Sequence, residues 1–277
     1  MENVSTIYTK LKIGASAPFK LVQTTDTHFT FADMRDGERK VKLAEKREKI
    51  FRANHKAFEK AVEISTSLGA PIIHTGDLID FVSEANLEAV KRFTETHDYF
   101  ICAGNHEFSL FVGEAREDEA YRNKSLALVQ SVYPNDIRMV SRIINGVNIV
   151  ALDNGYYLFD KEQKEFLQKE ISKGLPILLM LHVPLYEHSL YEERMAVNPC
   201  AYLAGVPEEL MTCYPEHRYE QQLANPITTD TIELIKSTDI IKCVIAGHIH
   251  VNTEKMLTPT LAQITTSETD VRIIEIE

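Results

Sequence analysis

Apolar and polar residues along the chain follow two different periods. Runs of consecutive aliphatic and β-branched residues, as in strands buried on both faces, occur at 19–25, 99–103, 147–152, 176–181, 240–246, 261–265 and 271–276. A shorter pair, Ile72 and Ile73, is cut off by Gly76 and Asp77. Between these runs apolar residues recur at helical spacing. The charged stretch after residue 31 becomes amphipathic from Ile50, with Phe51, Ala57, Phe58, Ala61, Val62 and Ile64, until Gly69 and Pro71 stop it. Further helices are predicted over 83–96, with Ser83 as N-cap, and over 114–133, 160–173 and 229–236.

Residues 1–19 read as a lead-in strand or arm. Weaker strand signals at 137–140 and 142–144 precede the 147–152 run, and Asn145-Gly146 predicts a hairpin and hence an antiparallel pair. The stretch 185–227 has no sustained period. Its length points to a functional lid, because Tyr186, Tyr191, Tyr202, Tyr214 and Tyr219 argue against disorder. With no Gly/Ser/Pro-rich linker, the 277 residues read as one domain with a cap-like insertion at about 185–227.

Composition adds limits. A hydrophobic content of 44% and a charged content of 26% suit a chain able to bury a full core, and the formal charge of −11 disfavours a nucleic-acid-coating role. That charge does not argue against a phosphorylated substrate, since bound cations invert the local sign of a site. No apolar run reaches the ~20 residues a bilayer-spanning helix needs, and the N-terminus lacks the pattern of a signal peptide. Cys102, Cys200, Cys213 and Cys243 form no CxxC pair, so reduced thiols and a cytoplasmic location are expected.

Five of the predicted strands end on residues that bind metals. KLVQTTDTH gives Asp26 and His28, PIIHTGD gives Asp77, YFICAGNHE gives Asn105 and His106, ILLMLHVP gives His182, and CVIAGHIH gives His248 and His250. Open sheets place sites just outside strand ends, where such segments converge. Asp77 is the natural hub, because one carboxylate can serve two cations whereas an imidazole serves one. Asp26 and His28, two apart in extended backbone, are expected to point to one side and share a cation. Four polar or flexible residues in a row, Gly104 to Glu107, suit a functional loop, while Asp153 beside Asn154-Gly155 reads as a turn carboxylate.

The ordered set, Asp-x-His, Gly-Asp, Gly-Asn-His-Glu, a lone His after a strand and then Gly-His-x-His, resembles the calcineurin-like metallophosphoesterase superfamily. It is most similar to the bacterial phosphohydrolases and the cyclic-nucleotide phosphodiesterases of that group. The resemblance implies an α/β fold, a four-layer α-β-β-α sandwich of two mixed β-sheets flanked by helices. It also implies that Asp26, His28 and His250 hold one metal, that Asn105, His182 and His248 hold a second, and that Asp77 bridges them. His106 would be the catalytic imidazole and Asp80 the carboxylate orienting it. Phe81-Val82 replaces the Arg-Gly of the protein phosphatases, and Asp80 stands where purple acid phosphatases carry a tyrosine ligand.

The expected function is dinuclear hydrolysis of a phosphate ester, a phosphodiester or phosphomonoester of a small molecule or nucleotide, by metal-activated hydroxide. His106 would protonate the leaving group. Nitrogen and oxygen donors without thiolate favour Mn and Fe, with Zn as the alternative. Competing readings are a non-catalytic binding scaffold on the same fold, which predicts missing ligands, a mononuclear metalloesterase, and a metal-dependent nuclease. In the 185–227 stretch, which leaves from His182 and returns before His248, His188, His217 and Arg218 offer donors for phosphate oxygens. The five tyrosines offer faces for an organic leaving group.

Overall fold

Leu21 and Val22 are adjacent in one strand and enter different cores, and that alternation organises the protein. The computed structural model describes residues 4–114 and 117–277. Its first half runs β1 (Ser5–Leu11), β2 (Phe19–Thr24), α1 (Glu38–Leu68), β3 (Ile72–His74), α2 (Glu84–Thr96) and β4 (Tyr99–Ile101). Two short helices, α3 (Glu119–Arg122) and α4 (Leu126–Gln130), lead to β5 (Met139–Ile144), β6 (Val147–Leu152), α5 (Lys161–Ser172) and β7 (Ile177–Met180). The chain closes with α6 (His188–Met195), α7 (Glu216–Gln222), α8 (Pro226–Ser237), β8 (Ile241–Ala246), β9 (Thr253–Met256), β10 (Ala262–Thr265) and β11 (Asp270–Ile276).

The strands form two mixed sheets, in the orders β1-β11-β2-β3-β4 and β5-β6-β7-β8-β10-β9. β2, β3 and β4 run parallel, as do β6, β7, β8 and β10, while β5, β9 and the β11–β2 pair supply the antiparallel contacts. Period-2 geometry then sorts the side chains into layers. Leu21, Ile73, Leu178, Cys243 and Ile245 pack between the sheets, whereas Val22 and Ile72 meet Phe58 and Ala61 of α1 and Leu87 of α2. Leu179 and Val244 meet Leu167 of α5 and Ile232 of α8. Helices, sheet, sheet and helices make the expected four layers.

Local signals hold where chemistry is local. Ser83 Oγ accepts from Asn86 N at 3.0 Å, Asp160 and Gln163 form a capping box, and Gly69 ends α1 in the left-handed region at φ 60°. The hairpin forms at Asn145-Gly146.

Four expectations are corrected. The helix predicted over 114–133 is two short ones, because Asp118 and Ser125 each start a new turn; residues 115–116 lie outside the described chain. The signals at 137–140 and 142–144 fuse into β5, held in register along β6. β9 was not predicted: its sequence TEKM has no apolar alternation, and it exists as an edge strand paired to β10. The 185–227 stretch carries three helical segments, α6, α7 and a 3-10 turn at Glu208–Leu210.

Candidate metal centre

The ends of β2, β3, β4, β7 and β8 meet at one edge of the sandwich, and the loops that follow are tied to one another. Asp26 N donates to Gly76 O at 3.0 Å and His28 N to Asp77 O at 2.9 Å. One stripe of α1 secures the same loop. Asn54 donates to Asp26 O at 2.8 Å, His55 Nε2 lies 3.0 Å from His28 O, and Phe51 stacks on the His28 ring at 4.1 Å between centroids. A Cβ on Gly104 would overlap the Asp77 carboxylate, and one on Gly247 would overlap Thr25 and Asp26, so both positions need glycine for close approach.

Asp26 and His28 do converge, but not through extended backbone. Their φ angles are 49° and 48°, and Asp77, His248 and His250 are also left-handed, at 58°, 66° and 54°. Of eight described non-glycine residues with positive φ, these five, together with Tyr157 and Tyr202, gather at this edge. The eighth is Asn145 of the hairpin. Such backbone costs roughly 1–3 kcal/mol per residue and persists only where its surroundings over-determine it.

Three sets of donors lie with their ligand atoms within 4.8 Å of one another: Asp26, His28 and His250; Asp77, His182 and His248; and His28, Asp77 and His106. Asp77 belongs to two of them. Its Oδ2 lies 3.6 Å from His28 Nε2 and 3.4 Å from His182 Nε2, while Asn105 Oδ1 stands 3.2 Å from the same His182 nitrogen. All seven residues predicted as metal ligands are therefore brought together.

The donors fit cations on two counts. Asp26 Oδ1 and His28 Nε2 are buried, and what faces each is another donor of the cluster, His250 Nε2 at 3.2 Å from the oxygen and Asp77 Oδ2 at 3.6 Å from the nitrogen, a crowding of donor atoms that a cation between them would relieve. The far ring nitrogens, by contrast, are engaged: His28 Nδ1 meets Asp80 Oδ1 at 3.1 Å, His182 Nδ1 meets Thr75 O at 2.7 Å, and His248 Nε2 meets the Tyr157 hydroxyl at 2.9 Å. An acceptor on the far nitrogen holds that proton and turns the free lone pair toward the centre, the usual support of a metal-binding histidine.

Electrostatics agree. Burial pushes Asp77 up, yet His182, His106 and His28 hold it well below the ordinary carboxylate range. Burial pulls His182 down, but Asp77 and Asp26 raise it to about 9. The carboxylates make a field that draws positive charge.

His106 stands beside the hub. Its backbone N donates to Asp77 Oδ1 at 2.8 Å, and its Nδ1 faces both the Asp80 carbonyl, at 2.9 Å, and Asp80 Oδ1, at 3.1 Å. Burial lowers it, but Asp77 and Asp80 raise it to about 10. Asp80 is in turn gripped by Arg47 at 2.6 and 2.7 Å, which with His106 and His28 keeps it ionised against the cost of burial. Sequence reading gave no role to Arg47, which lies in a charge-rich helix with no local sign of its partner.

Glu107 was also passed over as a specific contributor. It is buried and accepts from Asp77 N at 2.8 Å, Leu78 N at 2.7 Å, Gly104 N at 2.6 Å and the Tyr133 hydroxyl at 3.1 Å. One carboxylate thus clamps the Gly-Asp loop to the Gly-Asn-His-Glu loop. Asp153 stays outside the donor sets: it accepts from Gly155 N at 3.0 Å, as a turn carboxylate, and pairs with Arg122 at 3.2 Å.

A cavity of about 300 Å³ opens onto His28, Asp77, Asn105, His106, His248 and His250. The 185–227 stretch supplies Arg194, Asn198, Tyr202 and Arg218 to its lining. His217 does not reach it and lines a neighbouring cavity with Gly113 and Glu117. His188 is exposed beside the Tyr186 hydroxyl. Of the five tyrosines only Tyr202 faces the centre. Three of the others hold the segment together: Tyr191 donates to Leu210 O, Tyr214 accepts from Ala201 N, and Tyr219 donates to Glu208.

The geometry can be set beside known proteins. A purple acid phosphatase from yellow lupin seeds (Lupinus luteus) matches with 12% identity and a TM-score of 0.50 over 94% of this chain and 45% of its own. A dimetal phosphatase from Danio rerio matches with 13% identity and a TM-score of 0.46 over 90% and 87%. A 5'-nucleotidase from Candida albicans matches with 13% identity and a TM-score of 0.40 over 90% and 45%. The chain thus spans less than half the length of the lupin and Candida proteins, and the lupin likeness shows a shared fold. No curated protein matches in sequence. The sequence profile of the calcineurin-like phosphoesterases matches residues 19–252, from the first core strand to just beyond the last histidine, and the chain belongs to that family.

Proposed function

We propose that the protein is a dinuclear metal-dependent hydrolase of small phosphate esters. Family membership supports the reaction class, a metal-dependent phosphoric ester hydrolase. The observation that supports the dinuclear reading is that the donor set of Asp26, His28 and His250 lies beside that of Asp77, His182 and His248, with Asp77 Oδ2 3.6 Å from His28 Nε2 and 3.4 Å from His182 Nε2. Asp26, His28 and His250 would hold one cation and Asn105, His182 and His248 the other, with Asp77 between. Bound there, the pair would supply Lewis acidity, activating water and neutralising phosphoryl charge. Mn and Fe suit the donors, with Zn as the alternative.

The chain's own residues do the rest. His106 has its Nδ1 held by Asp80, so its Nε2 is the atom left to hand a proton to the departing oxygen. Asp80, locked by Arg47, orients that imidazole. Phe51, stacked on His28, keeps water from one face of the site. Residues 185–227 act as a cap, and Arg218, not His217, is the predicted recognition residue that faces the centre. Among the described residues no helix is long and apolar enough to cross a membrane. The four free cysteines fit a cytoplasmic setting.

Turnover of phosphomonoesters and phosphodiesters by protein of measured metal content tests this reading. His106→Ala should keep both metals and lose roughly 10² to 10⁴ in rate with an alkyl leaving group. The loss should be smaller with p-nitrophenolate, which needs little protonation. Equal losses on both esters would remove His106 from the acid's role.

A further inference from the structure

Two arginines line the cavity with no acidic partner among the described residues. Arg194 of α6 makes no ion pair among the described residues, and its Nε is buried without a hydrogen-bond partner. Asn198, four residues on and facing the same cavity, has its amide nitrogen buried and unpartnered as well. Arg218 of α7 lies over the Tyr202 ring, 5.2 Å from its centroid, and its one hydrogen bond among the described residues goes to a neutral acceptor, Gln221 Oε1, at 2.7 Å.

These groups have a common chemistry. An arginine stays charged, and Arg194 Nε and the Asn198 amide nitrogen are donors that lack acceptors. Leaving buried donors unmatched is unfavourable, and in a chain of net charge −11 acidic partners are not scarce. A forked guanidinium matches a carboxylate or a phosphate in two hydrogen bonds.

This set borders the same cavity as the centre but comes from a different part of the chain. Arg194, Asn198 and Arg218 belong to a segment with its own apolar cluster, in which Leu190, Leu203, Val206 and Met211 pack with Ile249. Ile249 lies between His248 and His250, so the segment is anchored on the loop that carries two of the donors. The cations proposed for the centre already match the charge of one phosphoryl group, which leaves the arginines for another. At about 300 Å³ the cavity is at the small end of ligand sites, suited to a metabolite-sized ester.

We propose that Arg194, Asn198 and Arg218 form an anion subsite for a second acidic group, so that the substrate is a small organic phosphate bearing a carboxylate or a second phosphate. This rests on the phosphoesterase reading above and names the class of ester that reading leaves open. The test compares glycerol 3-phosphate with 3-phosphoglycerate, in which a carboxylate replaces the hydroxymethyl group, and with 1,3-propanediol bisphosphate, on Mn²⁺-loaded protein. At least one acidic ester should exceed glycerol 3-phosphate in kcat/KM by about tenfold or more, the size expected of hydrogen bonds to a charged group. Whichever arm responds identifies the acidic group. In the double variant Arg194→Gln with Arg218→Gln the preference should fall to within about twofold, whereas Arg194→Lys, which keeps the charge, should retain part of it.

Binding supplies a readout independent of turnover. By calorimetry, 3-phosphonopropionate, whose C–P bond is not hydrolysed, should bind more tightly than propylphosphonate, and the double variant should erase the difference. A matching melting curve for that variant excludes a folding defect; if it melts early, Arg194→Gln alone takes its place. Ester turnover with no preference for either acidic ester overturns the subsite and leaves the hydrolase reading standing. Phosphonate discrimination with no ester turnover does the reverse, and a preference that survives in the variants overturns the assignment to these residues.

Discussion

The strand-end loops and the α6–α7 segment border one cavity but treat their polar groups in opposite ways. In the loops the backbone is strained and most groups are held. Six left-handed residues, Asp26, His28, Asp77, Tyr157, His248 and His250, sit in a mesh that includes Glu107, Asn54, His55 and Arg47. The segment combines short helices with irregular backbone, is stapled to itself by tyrosines, and leaves Arg194 and Asn198 with unmatched donors. On the proposed reading, groups that would hold metals in an exact arrangement are over-determined, and groups that would meet a substrate are left open. On this comparison, changes in the loops should lower metal content and rate together, and changes in the segment should alter KM and substrate rank.

The largest effect is expected at the hub. Asp77→Asn removes the charge shared by two donor sets and should cost more than about 100-fold in metal affinity, with activity lost alongside. Near-normal turnover with two metals per chain would break the comparison at its centre. Glu107→Gln keeps the shape of the clamp but sets an amide against three backbone donors. It should destabilise by about 1–3 kcal/mol, which for a chain of this size lowers Tm by roughly 2–4 °C per kcal/mol. Metal affinity should fall about 10- to 100-fold with it. A lower Tm with unchanged metal affinity would make Glu107 a structural residue only. The smallest effect is expected at His217, which sequence reading paired with Arg218. His217→Ala should leave KM across an ester panel within about twofold, and a larger shift would show that the neighbouring cavity takes part in recognition.

How much of this was legible depended on how local each signal was. Apolar runs that stop at Gly-Asp, Gly-Asn-His-Glu or Gly-His-x-His marked strand ends and candidate donor residues directly, because a buried strand tolerates such polar groups only where it emerges. β9 escaped since an edge strand needs no apolar face, and the helix at 114–133 failed since Asp118 caps a new turn with its side chain and the chain breaks helix again at Ser125, whose hydroxyl donates to Phe108 O instead. Arg47 and Glu107 were readable as charges but not as partners. Arg47 meets Asp80 across 33 residues, and Glu107 meets Asp77 across 30.

The sequence by itself determined the buried strands, the amphipathic helices, the donor types and their order along the chain, because periodicity and hydrophobic run length are properties of neighbouring residues; the four layers were implied by the family resemblance of that ordered set. Only the tertiary structure decided how the donors converge. Asp26 and His28 share a site through left-handed backbone and not through strand alternation, a conformation set by Asn54, His55 and the Asp77 loop rather than by local preference. It also decided which imidazole nitrogen is free and that Arg194 and Arg218, but not His217, reach the cavity. Those choices rest on contacts between distant segments, as far apart as the 222 residues between His248 and Asp26, and such contacts leave no period in the chain to read.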